Sequence, residues 1–318
     1  MIRFFLSLII VAAACSASFS QKDISEIFTG IEKISISTSS SDCILKKGAS
    51  DAVQVDLEHN YSGSYDPDIY KEGNRLVIKE RFERNSSVRG SGTWTLTIPD
   101  DLDIRFNSGS GSLEASDLNF ELDMNTGSGY IELSAVKGEL KFNTGSGDIT
   151  LSKVDGEFDA NTGSGSFKVT DAKGDLRFNT GSGNVRLRDV IASVSANTGS
   201  GNVNAVNMSL TGRSSFNTGS GDAIVTLNTS LKHDINVNSG SGDAEVDFSG
   251  NVISGLVEMK ANKKNGRISA PFDFDEVEEI DQGSGRWNQT VVKKTAKLGS
   301  EDIRIRISTG SGTARISK

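Results

Sequence analysis

Cysteine, histidine and proline are scarce in this chain of 318 residues, which has 2 Cys, 2 His and 3 Pro. Two cysteines are too few for a disulfide-stabilised scaffold. The histidines, His59 and His233, stand in no recognisable motif, so the chain offers little for a Ser/His/Asp or Cys/His catalytic site. It has no G-x-S-x-G nucleophile elbow, no G-x-x-x-x-G-K-[ST] phosphate loop and no cluster of zinc ligands. We therefore expect no cofactor and no metal.

Positive charge is also in deficit. The 34 Lys and Arg residues face 42 Asp and Glu residues, which gives a net charge of −8. Phosphate backbones are bound by clustered Lys and Arg, so this balance argues against a nucleic-acid partner. The N-terminal apolar run, Phe4 to Ala14, is far short of the roughly 20 residues that span a bilayer, and no later segment comes close, so we expect no transmembrane helix.

The first twenty residues have the organisation of a secretory signal peptide. Arg3 precedes the apolar run, and small residues follow it. We therefore assign residues 1–20 as a signal peptide and expect an extracytoplasmic protein, whether secreted, periplasmic or on the cell surface. Two processing routes are open: cleavage before Gln21, which we favour, and lipoprotein processing at Cys15, which would anchor the chain by a lipid.

Glycine, in contrast, is abundant, and much of it belongs to one repeated string, Asn-Thr-Gly-Ser-Gly or a close variant. The string recurs at intervals of 18 residues, and its last two copies follow after 20 and 21. A fixed period near 20 is typical of a solenoid or array. The asparagines of the repeat are Asn107, Asn125, Asn143, Asn161, Asn179, Asn197, Asn217 and Asn238.

Each copy predicts two short strands. In the copy that begins at Asn143, apolar and polar residues alternate over residues 148–152 and 157–161. One bend falls around Asp155-Gly156. The Asn-Thr-Gly-Ser-Gly string forms the other, since Gly adopts positive φ freely and Asn tolerates it.

Two strands and two bends can return the chain one strand spacing, ~4.8 Å, above its start. We therefore predict an all-β fold, a parallel β-solenoid (β-helix) with coils of about 18 residues, right-handed by the general preference of parallel crossovers. Apolar residues of successive copies would fill the interior. Their two columns are Leu113, Ile131, Ile149, Phe167, Val185 and Val203, and Leu122, Leu140, Phe158, Leu176 and Val194.

Two polar columns and one cysteine need an interpretation in this fold. The stacked asparagines are predicted to form a hydrogen-bonded ladder with a structural role. The aspartates after the bends, Asp148, Asp222 and Asp243, allow a calcium-binding alternative, which Ser, Tyr and Asn at the same position in other copies weaken. Cys43 aligns with Ile149, and we interpret it as a buried hydrophobe rather than a reactive thiol.

The flanks of the repeat are expected to cap the solenoid. We divide the mature chain into N-terminal capping coils at 21–105, regular repeats at 106–260, and irregular C-terminal coils with a cap at 261–318. The segment from His59 to Gly92 is rich in aromatic and basic residues, and we call it the aromatic excursion. It is a candidate ligand surface; the alternative is a hairpin whose rings pack on the first coils. The candidate ligand residues are Tyr61, Tyr65, Tyr70, Arg81 and Arg84.

The segment Leu96 to Pro99 (LTIP), followed by NTGSGDI-like units, resembles the bacterial putative adhesin family, a domain of unknown function with β-strand repeats. The resemblance covers roughly Ile31 to Ser317. It implies an envelope or secreted β-solenoid with an adhesive role and no assigned catalytic residues.

Three functional hypotheses follow. The first is a non-enzymatic binding or adhesion module whose partner is a glycan, a cell-surface polymer or an envelope protein. The second is a carbohydrate-active β-helix enzyme, a polysaccharide lyase or hydrolase, which would present paired carboxylates in a groove. The third is a structural or regulatory envelope protein.

Overall fold

The computed structural model describes residues 22–62, 65–82, 89–282 and 289–318. Their regular structure is entirely β, with 28 strands in one mixed sheet. These residues form no helix, and so none that is long and apolar enough to cross a membrane. The predicted signal peptide, Cys15 and Arg84 lie outside the described residues.

The strands before the regular repeat, together with its first coil, are β1 (Lys22–Phe28), β2 (Lys33–Thr38), β3 (Asp42–Lys47), β4 (Val53–His59), β5 (Asp68–Glu72), β6 (Arg75–Lys79), β7 (Gly92–Ile98), β8 (Leu102–Ser108) and β9 (Leu113–Ser116). The strands of the following coils are β10 (Phe120–Thr126), β11 (Ile131–Ser134), β12 (Lys137–Thr144), β13 (Ile149–Ser152), β14 (Asp155–Thr162), β15 (Phe167–Thr170), β16 (Lys173–Thr180), β17 (Val185–Thr198), β18 (Val203–Leu210), β19 (Ser214–Thr218), β20 (Ala223–Leu227), β21 (Ile235–Ser239) and β22 (Ala244–Asp247). The C-terminal strands are β23 (Gly255–Asn262), β24 (Arg267–Ser269), β25 (Glu276–Gln282), β26 (Gln289–Leu298), β27 (Arg304–Thr309) and β28 (Thr313–Ser317).

Each repeat supplies two strands that pair in parallel with the equivalent strands of neighbouring repeats. We call the strand that ends in the Asn-Thr pair the A strand and the strand after the glycines the B strand. The A strand β12 pairs with β14 so that Leu140 faces Phe158, and the B strand β11 pairs with β13 so that Ile131 faces Ile149. In β17 a B strand and an A strand run on without a break. The all-β, solenoid-like fold is thus confirmed.

The interior of the stack is apolar. The alternation of each strand turns every second side chain inward, where stacking with its neighbours removes it from water. Both predicted interior columns are buried throughout. Cys43 is fully buried and lies in register with Leu113, as its alignment with Ile149 predicted. Burial, helped by the charge of Asp42, raises the pKa of the Cys43 thiol, which makes it a poor nucleophile.

At both ends the order of coils in space differs from their order in the chain. The coil formed by β2 and β3 lies between the β6–β7 coil and the β8–β9 coil. Likewise, the β27–β28 coil lies between the β21–β22 and β23–β24 coils. The N-terminal strands β2 and β3 stack in regular register on β8 and β9. Strands close to each end of the described chain are therefore covered on both sides.

Antiparallel strands extend the two ends of the stack. β4 pairs with both β1 and β7, and β5 forms a hairpin with β6. At the other end β26 pairs with β23 and β25. The acidic strand β25 is largely exposed. Charge on such an outer strand discourages pairing with another chain.

Candidate functional site

The repeated asparagines form a continuous ladder on the outer side of the A strands. Asn161 Nδ2 donates to Asn143 Oδ1 at 3.3 Å, and Asn179 Nδ2 donates to Asn161 Oδ1 at 2.9 Å. The same bond joins every consecutive pair of the eight, with N–O distances from 2.7 to 3.3 Å. Ser308 continues the ladder by donating to Asn238. The structure therefore brings all the predicted asparagines together.

A second ladder, which sequence reasoning missed, is made by the hydroxyl residue after each asparagine, which is threonine in six copies and serine in two. Thr180 Oγ1 accepts a hydrogen bond from Gly183 N at 3.0 Å and donates to the Gly165 carbonyl of the preceding coil at 2.9 Å. The hydroxyl thus holds its own turn closed and ties that turn to its neighbour. Ser239 makes the same two bonds in its coil. The signal was a hydroxyl residue after every repeat asparagine.

The turn glycines have a different role from the one expected. Positive φ was predicted for them, but the left-handed residues are in the other bend, for example Lys153 at 55° and Gly156 at 143°. The turn glycines are required by close stacking. A Cβ on Gly183 would lie 1.8 Å from the Gly165 carbonyl oxygen, a distance that no side chain can adopt.

The column that suggested calcium is a third hydrogen-bonding ladder. Asp148 Oδ1 accepts from Ser166 N at 2.7 Å, and Asp222 Oδ1 accepts from Asp243 N at 2.9 Å. Asn202 accepts from the Asp222 amide in the same way. These aspartate oxygens therefore bond to the backbone of the next coil. No group of three or more His, Cys, Asp or Glu suited to a metal ion occurs among the described residues.

Part of the aromatic excursion packs inward. Tyr65 is buried, and its ring lies 4.8 Å from that of Tyr61 and 5.1 Å from that of Phe82. Its hydroxyl donates to Glu80 Oε1 at 3.1 Å, and Trp94 Nε1 donates to the same oxygen at 3.3 Å. Burial, followed by the charge of Glu80, raises the pKa of the Tyr65 hydroxyl. Tyr65 is therefore a packing residue, which corrects its expected place on a ligand surface.

The other excursion residues do not join into one surface. Tyr61 is half-buried and its hydroxyl lies 2.7 Å from Ser41 Oγ. Tyr70 is exposed on β5, where it pairs with Val77 of β6. Arg81 is exposed and its guanidinium lies 2.5 Å from the Asp68 carboxylate. The structure thus draws the rings of Tyr61 and Tyr65 together against the first coils and leaves Tyr70 and Arg81 outside.

A groove of about 720 Å³ lies instead on the outer face of the later A strands, and we call it the A-face groove. Its floor consists of short polar side chains, and its walls carry four cations and two carboxylates. Sequence reasoning could not find it, because it combines strands that are distant in the chain. The residues that define the A-face groove are Asp175, Arg177, Ser193, Ser195, Arg213, Ser215, Asn236, Glu258, Lys260 and Arg306.

Comparison with known proteins gives one family match and several distant structural neighbours. The family model described as Toastrack DUF4097 matches residues 31–269. A structure titled "putative cell adhesion protein" from Clostridium sporogenes has 14% identity and a TM-score of 0.32, with 94% of this chain and 99% of that chain covered. One titled "putative lipid binding protein" from Parabacteroides distasonis has 15% identity and a TM-score of 0.39, with coverage of 93% and 96%. No curated protein matches.

Proposed function

The chain belongs to the Toastrack DUF4097 family, and from this premise we propose that it is a non-enzymatic, extracytoplasmic binding module of the adhesin type. Its partner would be a polymer of the cell surface or envelope. The name of the Clostridium sporogenes neighbour refers to adhesion, but this distant likeness carries none of the weight of the proposal.

The observation that carries the proposal is the register of the stack. Parallel pairing places equivalent outward side chains of successive coils one strand spacing apart, ~4.8 Å. Such a face offers the same kind of contact many times along one direction, which suits a long polymer better than a small substrate. Several weak contacts made together give an avidity that none of them has alone.

The enzyme hypothesis is less well supported by the geometry of the A-face groove. Its two carboxylates, Asp175 on β16 and Glu258 on β23, are separated by five strand spacings, on the order of 24 Å. Glycosidases need two carboxyl groups about 5 to 10 Å apart. A pair this distant cannot act on one glycosidic bond, which supports a binding role for the groove.

The remaining parts of the proposal are the cellular compartment of the protein and the handedness of the solenoid. We place the mature chain outside the cytoplasm on the strength of its N-terminal sequence, with cleavage before Gln21 or a lipid anchor at Cys15. We also propose that the coils are right-handed, because parallel crossovers are right-handed in nearly all known sheets.

The test is a binding screen of the mature chain against an array of bacterial glycans and immobilised envelope polymers. We expect binding to at least one polymer class, and stronger retention when the protein is displayed in many copies on beads. Binding to no polymer would contradict the adhesin-type role. Release of new reducing ends or unsaturated sugars from a bound polymer would show turnover and overturn the non-enzymatic part.

A further inference from the structure

The A-face groove exists because outward side chains become short over three successive A strands. Ser195 of β17 lies beside Ser215 of β19, which lies beside Asn236 of β21. The column is bounded on one side by Arg177 of β16 and on the other by Arg306 of β27. The result is a trough with a floor of hydroxyl and amide groups and an arginine at each end.

The two terminal arginines are far apart. Four strand spacings separate Arg177 from Arg306, on the order of 19 Å. A compact polyanion such as a nucleoside triphosphate could not reach both. An extended chain that carries separated negative charges could, with its uncharged parts lying along the short side chains between them.

The charge of the groove is opposite to that of the whole protein. Four cationic side chains and two carboxylates line it, whereas the chain as a whole has a net charge of −8. Within the described residues Arg306 has no hydrogen bond or ion pair from its side chain. The Arg213 side chain is 84% exposed, and its ion pair with Asp234 is long, with 3.5 Å between Nη2 and Oδ2. Arg306, which lies in register with Glu258, and Arg213 are therefore available to an anion. Arg177 donates through Nη1 to Glu157 at 3.0 Å in an exposed ion pair, and its second amino group makes no bond within the described residues.

The floor selects among anionic polymers. Serine hydroxyls and an asparagine amide can both donate and accept hydrogen bonds, which matches the hydroxyl groups of sugars. Among the described residues, no aromatic side chain lines the groove on which a nucleic-acid base could stack, and the only apolar ones that line it are Leu176 and Val194, which are buried. Guanidinium groups pair in a fork with carboxylates.

We propose that the A-face groove binds a segment of an acidic polysaccharide, with Arg177 and Arg306 pairing with uronate carboxylates. Ser195, Ser215 and Asn236 bond to the sugar hydroxyls between them. This inference rests on the proposed binding function and names the site and the class of ligand for it.

The experiment measures binding of a galacturonate oligosaccharide by calorimetry, with its methyl-esterified form as the uncharged probe on the same backbone. We expect wild type to bind the acid and to bind the ester at least tenfold more weakly, since each charge-assisted pair lost corresponds to about a tenfold change. The variant R177Q/R306Q should lose affinity for the acid on the order of tenfold or more.

The matched control is K168Q/R186Q. Lys168 and Arg186 are exposed neighbours on the B strands, where they make no ion pair within the described residues, and their replacement removes the same two charges. We expect this variant to bind like wild type. A second groove variant, Ser215→Phe, should block the floor without changing charge. Unchanged melting temperatures establish that each variant is folded.

Each alternative outcome overturns the inference in a distinct way. If wild type binds neither probe, the ligand class is wrong. If the ester binds as well as the acid, the arginine pairing is wrong, and if both double variants lose affinity equally, the attraction is diffuse charge and not the groove. If a glycan array finds another polymer whose binding is unaffected by R177Q/R306Q, the inference fails while the proposed binding function stands.

Discussion

Gly183 stacks on Gly165 so closely that a Cβ on Gly183 would lie 1.8 Å from the Gly165 carbonyl oxygen. The contact repeats along the stack: a Cβ on Gly165 would lie 1.9 Å from the Gly147 oxygen. The second glycine of each turn thus sets how closely successive turns approach. The turn threonines complete the arrangement by bonding across the same gap, as Thr180 does to Gly165.

Gly183→Ala should therefore destabilise the protein strongly. The methyl group would meet backbone that cannot move without opening the stack, so we expect a loss of at least about 3 kcal/mol in the free energy of unfolding. Gly73 is the matched control: its φ is +61° and a Cβ there would meet nothing within 4 Å. Gly73→Asn should cost at most about 1 kcal/mol. Equal losses for the two variants, measured by denaturant unfolding, would contradict the role given to close stacking.

The inward and outward positions of a B strand should respond differently to the same charge. Ile149 is fully buried, so Ile149→Asp places a carboxylate in the apolar interior and should cost several kcal/mol. Thr150, the next residue, faces outward, and Thr150→Asp should change stability by no more than about 0.5 kcal/mol. Thermal melts of the two variants check this. Similar melting temperatures would mean that the strand faces have been assigned wrongly.

The threonine ladder should contribute more to the free energy of unfolding than the asparagine ladder. Thr180→Val keeps the shape of the side chain but leaves the Gly183 amide and the Gly165 carbonyl without their bonds, both in a buried turn. We expect a loss of about 2–3 kcal/mol, because unsatisfied buried groups keep their full desolvation cost. Asn161→Ala breaks bonds nearer to the solvent and should cost about 1 kcal/mol.

Thr180→Ser is the control for the threonine ladder. Ser239 already makes the same pair of bonds in its own coil, so a serine at position 180 should retain most of the wild-type stability. If serine and valine at this position gave the same free energy of unfolding, the hydroxyl would have no part in holding the turns together.

The sequence predicted the repeat core well because burial there depends on local alternation. Each apolar residue of a copy such as Ile149 faces its counterpart in the next copy, so the spacing of the repeat gives the pairing directly. The ends were not predictable in this way. Lys33 pairs with Asp103, a partner 70 residues away, and only the folded chain selects that coil among several similar ones.

The candidate functional sites were also only partly predictable from the sequence. A glycine that needs positive φ and a glycine that needs close stacking look alike in a sequence, since both exclude a Cβ. The sequence does not indicate whether Tyr65 or Tyr70 faces inward, because the regular alternation of apolar and polar residues is interrupted there. The A-face groove was invisible because Asn236 and Arg306 become neighbours through the rearranged C-terminal coils.

Processing of the N-terminus can be tested by metabolic labelling. If cleavage occurs before Gln21, as we favour, the mature chain will be found outside the cytoplasm, will lack residues 1–20 and will not incorporate radiolabelled fatty acid. Mass spectrometry of the exported protein checks the new N-terminus. Label that disappears in Cys15→Ser would instead establish the lipoprotein route.

The aspartate column should behave as a set of backbone acceptors and not as a metal site. Asp222 Oδ1 accepts from Asp243 N at 2.9 Å, and Asn184 and Asn202 accept through their amide oxygens at the equivalent position. Asp222→Asn keeps an acceptor oxygen, so its stability should stay within about 0.5 kcal/mol of wild type. Asp222→Ala leaves the Asp243 amide unpaired and should cost about 1–2 kcal/mol.

Adding calcium distinguishes a column of backbone acceptors from a calcium-binding site. A calcium site would stabilise the folded state by mass action, raise the melting temperature with millimolar calcium, and lose that gain with a chelator or with Asp222→Asn. We expect the melting temperature of wild type to be the same with calcium and with chelator, because the aspartate oxygens already bond to the next coil. A rise of many degrees that Asp222→Asn abolishes would show instead that the column binds the ion, and the ladder of acceptors would then be secondary to it.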